Sequence, residues 1–371
     1  KSVLLNRGGY SYLTGPAVPG KEKQEAAPAP GGSTPSLPWT VRVGSVVLTG
    51  NRAEYGLLNH RPAAGFDPSF IVLSTLELVV DSIYNRGADI ALQIRRMAFT
   101  ERSGLTVSDM TGDIGMDASG ISLAGVTLKT PFSRIEANIS AGEGILALAP
   151  DSPLKAVLTA DVNTKDLKYL YPALIPPVLD GRIVSLALTA AGTLGDIGKA
   201  GLDISSPGHV AFTADGAARN VLDPGRMEAS ARFEGDFRDM AFLEALLPDS
   251  ALRRRIAIPD RIRLRGTAGA DKGAFSAAST LSADGGEIAL QGRLDTRSEA
   301  YGIELRCDSF PLNRFLPADS LGLLDLALQA GGSGFDPLRA QTRGNIRLQV
   351  NRAEFRGRDF GGVELNANLE E

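Results

Sequence analysis

Polar and apolar residues alternate with a period of two over most of this sequence, in short segments that Gly, Asp, Asn and Ser separate. Successive side chains of a β-strand point to opposite faces, so each segment predicts a strand with one apolar and one polar face. One-sided strands are typical of antiparallel sheets, and the βαβ alternation of parallel sheets is absent. The strands recur at a spacing typical of sandwiches, barrels and long curled sheets. The sequence therefore predicts an all-β fold.

The chain divides by composition into three parts. Residues 1–38 are predicted to be one strand, Val3–Leu13, and a linker rich in Pro, Ala and Gly. Residues 39–150 are predicted to form a first β-section. Residues 151–371 are predicted to contain three repeated units, each a group of strands, a short helix and more strands, with the last unit truncated.

The repeat is marked by three aromatic–leucine pairs at a constant step of 73 residues, since 243 − 170 and 316 − 243 are equal. The pairs are Tyr169-Leu170, Phe242-Leu243 and Phe315-Leu316. Asp166 and Asp239 are the predicted N-caps of the first two helices, and Ser309 is the candidate for the third. A constant step of this size predicts stacked units.

Composition excludes several function classes. The net charge of −4 gives no basic field for nucleic acid. Cys307, His60 and His209 are the only cysteine and histidines, which leaves little material for metal or acid–base chemistry. We interpret Asp109, Asp113 and Asp117 as residues of turns and of solvent-exposed strand faces rather than as metal ligands. We therefore predict a protein without cofactor or metal that is not an enzyme.

Gly331-Gly332-Ser333-Gly334 is a glycine cluster that resembles a nucleotide loop in composition only. Because no phosphate-binding helix is predicted after it, we interpret it as a tight turn. The sequence contains no apolar run of about 18 residues that could span a bilayer as a helix.

Several short motifs resemble those of the TamB/AsmA-like family of Gram-negative envelope proteins, in its Bacteroidota form. The resemblance covers most of the chain and depends on the order and spacing of the motifs. They are Pro38-Trp39, Gly65-Phe66-Asp67-Pro68, Glu101-Arg102-Ser103-Gly104-Leu105 with Val107, Leu128-Lys129-Thr130-Pro131-Phe132-Ser133 and the three helical turns. The family belongs to a module for translocation and assembly, and this chain resembles a middle fragment of its inner-membrane subunit.

The resemblance implies an elongated, curled antiparallel sheet that forms an open, taco-like β-groove with short helical turns between repeats. It implies a periplasmic location, an inner-membrane anchor through an N-terminal helix that this sequence lacks, and an outer-membrane barrel partner bound through an absent C-terminal region. The groove would carry phospholipid between the two membranes. It would shield acyl chains, because burying one methylene is worth about 0.8 kcal/mol.

The candidate residues for contact with acyl chains are the apolar members of the alternating strands. They are Leu76, Leu78, Ile90, Leu92, Ile94, Ile135, Ile139, Leu158, Val162, Val184, Leu186, Leu188, Phe233, Leu264, Ile303, Leu305, Leu326, Leu328, Ile346, Leu348 and Val350. Arg261, Arg263 and Arg265 are the candidates for a headgroup rim, with an ordinary solvated face as the alternative.

The sequence allows three other interpretations. The same residues can form the closed core of a sandwich or barrel. The chain can be a chaperone-like scaffold that holds strands of outer-membrane proteins by β-augmentation. It can also be an adhesin or glycan binder, although such a protein would need aromatic platforms and the chain has one tryptophan.

Overall fold

The computed structural model describes residues 4–7, 10–13, 40–57, 60–87, 89–118, 120–142, 149–171, 179–247, 254–334 and 342–369. The chain forms two compact units. The first unit contains residues 1–148 and 158–182, and the second contains residues 149–157 and 183–371. Pro38-Trp39 and the predicted linker lie outside the described residues.

The first unit begins with a hairpin, β1 (Leu4–Arg7) and β2 (Tyr10–Leu13), where the sequence had predicted one strand. Six further strands follow, and each is antiparallel to the next one along the chain. They are β3 (Thr40–Gly56), β4 (Phe70–Arg86), β5 (Asp89–Glu101), β6 (Thr106–Asp117), β7 (Gly120–Lys129) and β8 (Arg134–Gly142). Strand β9 (Pro153–Asn163) is shared by the two units, and helix α1 (Thr164–Leu170) follows it.

The second unit is also an antiparallel meander in chain order. Its strands are β10 (Ile183–Thr193), β11 (Ile197–Ser206), β12 (Val210–Arg219), β13 (Glu228–Arg238), β14 (Arg261–Asp271), β15 (Ala274–Ala283), β16 (Gly286–Asp295), β17 (Ala300–Pro311), β18 (Leu321–Ser333), β19 (Arg343–Phe355), β20 (Arg358–Phe360) and β21 (Val363–Leu369). Both β20 and β21 pair with β19.

Short helices interrupt the strands of the second unit. Those with described bounds are the 3-10 helix η1 (Met240–Leu246), helix α2 (Leu312–Phe315) and the 3-10 helix η2 (Pro317–Asp319). Four described strands separate α1 from η1, and four separate η1 from α2.

The prediction of an all-β, antiparallel, open sheet with short helical turns is confirmed. In each unit, no pairing among the described residues joins the first strand of the meander to the last. Irregular positions bend individual strands. In β4, for example, Thr75 and Ser82 have φ of 52° and 55° where the register to β5 shifts, as expected of β-bulges.

The predicted caps were wrong in detail. The N-cap of α1 is Asn163, whose side chain accepts a hydrogen bond from the Lys165 N–H at 3.0 Å. Asp239 does precede η1, but it has a left-handed backbone and makes no capping hydrogen bond through its side chain. Pro311, not Ser309, precedes α2, and Ser309 instead lies at a bulge of β17 with φ of 46°.

The glycine cluster is not a tight turn. Gly331, Gly332 and Ser333 lie inside β18 and pair with β17 and β19 without a shift in register. The error arose because clustered glycines predict a turn from local propensity alone, whereas here two flanking strands hold the segment extended.

Helix α1 closes one end of the sheet of the first unit. Its buried Asp166 accepts hydrogen bonds from the Thr130 and Ser133 hydroxyl groups, both at 2.5 Å. The Phe66 N–H donates to the Leu170 carbonyl at 3.3 Å. The Arg102 side chain donates to two backbone carbonyl groups of the loop that contains Phe66, at 2.9 Å and 3.0 Å. The motifs at residues 65–68, 101–105 and 128–133 thus meet around α1, the first of the three helical turns. The other two helical turns lie in the second unit.

Candidate functional site

The apolar residues of the second unit fall in register across the whole meander. Residues that pair directly in antiparallel strands lie on the same face of the sheet, so the pairings define lateral rows. The Leu186 row contains Leu186, Ile204, Phe212, Gly235, Leu264, Leu281, Ile288, Cys307, Leu326, Val350 and Val363.

Two parallel rows lie beside it on the same face, because their members are two residues away along each strand. The Leu188 row contains Leu188, Leu202, Ala214, Phe233, Gly266, Ser279, Leu290, Leu305, Leu328, Leu348 and Leu365. The Ala190 row contains Ala190, Ala200, Gly216, Ala231, Ala268, Ala277, Gly292, Ile303, Ala330, Ile346 and Ala367. We call the three rows together the apolar face.

Beyond the margin where η1, α2 and η2 lie, no described element covers the apolar face. Its only buried members are Gly235 and Cys307, both in the Leu186 row. Exposure increases toward the Ala190 row, where Ile303 and Ile346 are 44% and 45% exposed. A closed sandwich would bury these side chains between two layers. The second unit therefore presents an accessible apolar surface that is eleven strands wide along the Leu188 row.

Glycines let aromatic rings lie flat on this surface. A Cβ on Gly266 would lie 2.6 Å from Cζ of Phe233, so the phenyl ring occupies the space above the glycine. The Phe212 and Phe233 rings stack at 6.4 Å between centroids. Beside Phe233, a depression of about 380 Å³ opens over Gly266, Ser279 and Leu290. A second depression, of about 520 Å³, is lined mainly by apolar groups around Phe275, Leu294 and Tyr301.

The two margins of the apolar face differ. At one margin η1, α2 and η2 fold over the strand ends, and Ala283, Cys307 and Phe310 are buried there. The Phe310 and Phe315 rings stack at 4.9 Å, and the Ala257 N–H donates to the Phe315 carbonyl at 2.8 Å. This margin is closed by packed side chains.

The opposite margin includes the described turns that join β12 to β13, β14 to β15 and β16 to β17. Backbone hydrogen bonds tie neighbouring turns together, from Lys272 to Met227 at 2.8 Å, from Thr296 to Gly273 at 3.0 Å and from Gly334 to Glu299 at 3.0 Å. Charged side chains such as Lys272 and Glu228, which pair at 2.8 Å, lie along it. Charged side chains thus lie along this margin beside the apolar depression around Phe275, Leu294 and Tyr301, and no described helix covers it.

The first unit also has apolar rows in register, although Ile94 and Ala137 on the same face are buried. One row contains Leu48, Leu78, Met97, Met110, Leu128 and Ile135. Further rows contain Leu92, Ile114, Leu123 and Ile139, and Ile90, Met116, Ile121 and Ala141. Bulges in β4, β5 and β6 shift the register between these rows.

Most of the predicted contact residues lie on these two faces. The Leu186 row includes Leu186, Leu264, Leu326 and Val350; the Leu188 row includes Leu188, Phe233, Leu305, Leu328 and Leu348; the Ala190 row includes Ile303 and Ile346. Val184 precedes Leu186 by two residues in β10. The first unit has Leu78, Ile90, Leu92, Ile135 and Ile139 in its rows.

Four predicted residues differ from this group. Leu76 and Ile94 are buried, so they pack the first unit and offer little surface to a ligand. Leu158 and Val162 are half-buried in β9, on either side of the buried Ala160.

The three predicted rim arginines lie on the polar face of β14. They alternate with Ile262 and Leu264, whose side chains point to the apolar face, in a strand with unbroken register. Arg261 pairs with Asp236 in an ion pair, and Arg265 lies 3.8 Å from Glu287. This placement does not fit a rim beside the apolar rows; it fits the alternative of a solvated, ion-paired face.

Sequence reasoning missed part of the apolar face. Leu202, Ile204 and Phe212 alternate clearly within β11 and β12, and this signal was available. The alanines and glycines of the Ala190 row gave no such signal, because small residues also occur in turns and on wet faces.

Groups with other chemical potential are sparse in the described part of the chain. No cluster of three His, Cys, Asp or Glu side chains suited to a metal ion occurs there. The described helices include none with the length and apolar character needed to span a membrane. Burial raises the pKa of the Cys307 thiol, and the nearby Asp308 raises it further.

The apolar face is thus the most extensive candidate site that the described residues form. Comparisons of this chain with protein-family models, curated proteins and solved structures found no match.

Proposed function

We propose that this chain is a section of a periplasmic conduit whose apolar faces shield phospholipid acyl chains during transport between the inner and outer membranes. One observation carries the proposal: three rows of apolar side chains continue across the meander from β10 to β21 and stay accessible. Exposed apolar patches of monomeric proteins rarely exceed a few hundred Å² unless they bind something. The periplasmic setting comes from the resemblance in sequence.

The chemistry of the face suits hydrocarbon tails. Exposing a 16-carbon acyl chain to water costs on the order of 10 kcal/mol, at about 0.8 kcal/mol for each methylene. Across the three rows Ser279 is the one side chain with a hydroxyl group, so a tail meets methyl, methylene and phenyl groups. Each contact is weak and non-directional, which allows a tail to slide along the rows.

The two margins suit a lipid with a polar headgroup. The helical margin is packed and buried at Phe310, whereas the turn margin carries exposed charged side chains. A lipid on the apolar face can therefore keep its tails on the rows and its headgroup at the turn margin, in contact with water.

Lipid occupancy can be tested by photo-crosslinking. A benzoylphenylalanine at Ile346 faces the apolar side, and one at Arg347 faces the polar side of the same strand. We expect phospholipid adducts only at position 346 when the chain is purified from cells or incubated with liposomes, as measured by mass spectrometry. Equal labelling at both positions, or none at either, would contradict the proposal.

A charge on the apolar face tests the same proposal without a probe. Leu348→Asp puts a carboxylate in the Leu188 row, and Gln349→Asp puts the same group on the polar face as the control. We expect the first variant to lose most bound phospholipid in extraction and native mass spectrometry, and the control to keep it. Ile346→Asp, at a more exposed position, covers the case in which Leu348→Asp unfolds.

A chaperone-like scaffold for outer-membrane β-barrel proteins is the second candidate. It is favoured by β21, whose residues are all exposed. An exposed strand can take part in β-augmentation. Capture of unfolded barrel peptides by a lipid-free chain, with Leu348→Asp having no effect, would favour this function over the conduit.

A further inference from the structure

Two glycines face each other in the middle of adjacent strands, on the polar face of the second unit. Gly302 of β17 pairs with Gly331 of β18, and neither position has a positive φ or a shift in register. A Cβ built on Gly302 meets no atom within 4 Å, so packing does not require a glycine there. Glycine inside a strand costs stability and often marks a place where a ligand or another backbone approaches closely.

The glycine pair forms the floor of a depression of about 420 Å³. One row across the floor contains Arg293, Gly302, Gly331, Asn345 and Asn368. The adjacent row contains Gln291, Glu304, Gln329, Arg347 and Asn366. All the charged and carboxamide side chains of these two rows line the depression.

These side chains face solvent with most of their bonding capacity unused. Arg347 donates to the Asn366 carboxamide at 3.2 Å. Within the described residues, the side chains of Gln291, Arg293, Gln329 and Asn345 have no hydrogen bond or ion pair. Elsewhere on the polar face arginines are commonly paired, as Arg306 is with Asp308 at 3.1 Å.

We infer that this depression is a binding site for a saccharide, with a preference for one that carries an anionic group. A carboxamide both donates and accepts hydrogen bonds, as does a sugar hydroxyl, and a guanidinium offers two parallel donors. Arg293 and Arg347 against Glu304 leave the lining one positive charge in excess, which favours a carboxylate or phosphate on the sugar.

The charged and carboxamide side chains of the depression lie on the opposite face of the sheet from the acyl-chain rows. Ile303, Ala330 and Ile346 of the Ala190 row also line the depression. Its lining includes no aromatic ring for a sugar to stack on. Hydrogen bonds alone must therefore provide the affinity, and we expect a Kd on the order of 1 mM.

The test uses the whole purified chain and two probes, maltotriose as a neutral sugar and a hyaluronan tetrasaccharide as an anionic one. We expect saturation transfer from protein to both sugars in NMR, with the tetrasaccharide bound more tightly. Gly302→Val fills the floor of the depression, and the open space there allows the variant to fold. We expect it to weaken both sugars at least about tenfold, or about 1.4 kcal/mol.

Gly44→Val is the matched control, since a Cβ at Gly44 of β3 also meets no atom within 4 Å and the residue lies outside the depression. Gln329→Ala, which removes one carboxamide without adding volume, should also weaken both sugars. Absence of transfer to either probe, or unchanged binding in Gly302→Val, would overturn the inference. The inference would also be overturned if maltotriose does not bind and inorganic phosphate displaces the tetrasaccharide. In that case the site would recognise charge alone.

Discussion

The Ser133 hydroxyl donates a hydrogen bond to the Asp166 carboxylate at 2.5 Å, and both side chains are buried. The same carboxylate accepts from Thr130, and the Ser133 oxygen accepts from the Asn163 N–H at 2.9 Å. This network joins a hairpin turn of the first unit to α1, so it fixes the helix that closes the sheet.

Removal of the Asp166 carboxylate should destabilise the first unit. In Asp166→Ala the Thr130 and Ser133 hydroxyl groups lose a shared acceptor, and an unsatisfied buried polar group costs about 1–3 kcal/mol. We expect a loss of that size in urea unfolding, with faster hydrogen exchange in α1. Asp113→Asn, at an exposed carboxylate of β6, is the control and should change little. Equal effects of the two variants would show that the network does not hold α1.

Acid should destabilise the loop before β4 through Asp67. The Ala63 N–H and the His60 ring lower the pKa of this carboxyl group from 3.8 to about 2. Because the pKa is lower in the folded state, the charged carboxylate stabilises the fold above about pH 4, and that contribution is lost as the pH falls from 3.8 to about 2.

The Asp67→Asn variant tests this dependence. We expect it to be less stable than the unchanged chain at pH 7, and to lose less further stability between pH 4 and pH 2 because it has no carboxyl group to protonate there. Urea midpoints measured across this range give the comparison. Parallel curves for the two proteins would contradict the role of Asp67.

A side chain at Gly266 should disturb the apolar face. A Cβ there would lie 2.5 Å from the Ala278 carbonyl oxygen and 2.6 Å from the Phe233 ring. Overpacking of this kind costs about 1–3 kcal/mol, so we expect Gly266→Val to lower the thermal unfolding midpoint. Gly292→Val, at a glycine of the same face with no atom within 4 Å, should fold with little loss. A larger loss at Gly292 would contradict the described packing.

Cys307 should report on the closed margin. The residue is 4% exposed, and burial raises the pKa of its thiol, so little thiolate is present and reagents reach it poorly. We expect slow alkylation by iodoacetamide in the native chain and fast alkylation in urea. Cys307→Ala combined with Gln349→Cys moves the thiol to an exposed position and should react quickly without denaturant. Fast labelling of native Cys307 would show that the margin opens readily.

The sequence alone determined the class of fold and many of the residues on the apolar face. Period-two alternation fixes which side chains share a face of a strand, because the pleat places neighbours on opposite sides. That rule identified Leu186, Leu305 and Leu348. The same rule places Arg263 and Leu264 on opposite faces of the sheet, since the two residues are neighbours in one strand.

Tertiary structure decided how the strands align and what covers them. Alternation is identical in a closed sandwich and in an uncovered sheet, so only the packing shows that Ile303 and Ile346 stay accessible. The Gly302–Gly331 pair and the contact of Asp166 with Ser133 depend on register and on residues distant in sequence. The chain selects such contacts from among alternative pairings of residues that are distant in sequence. Local residue preferences do not encode that choice.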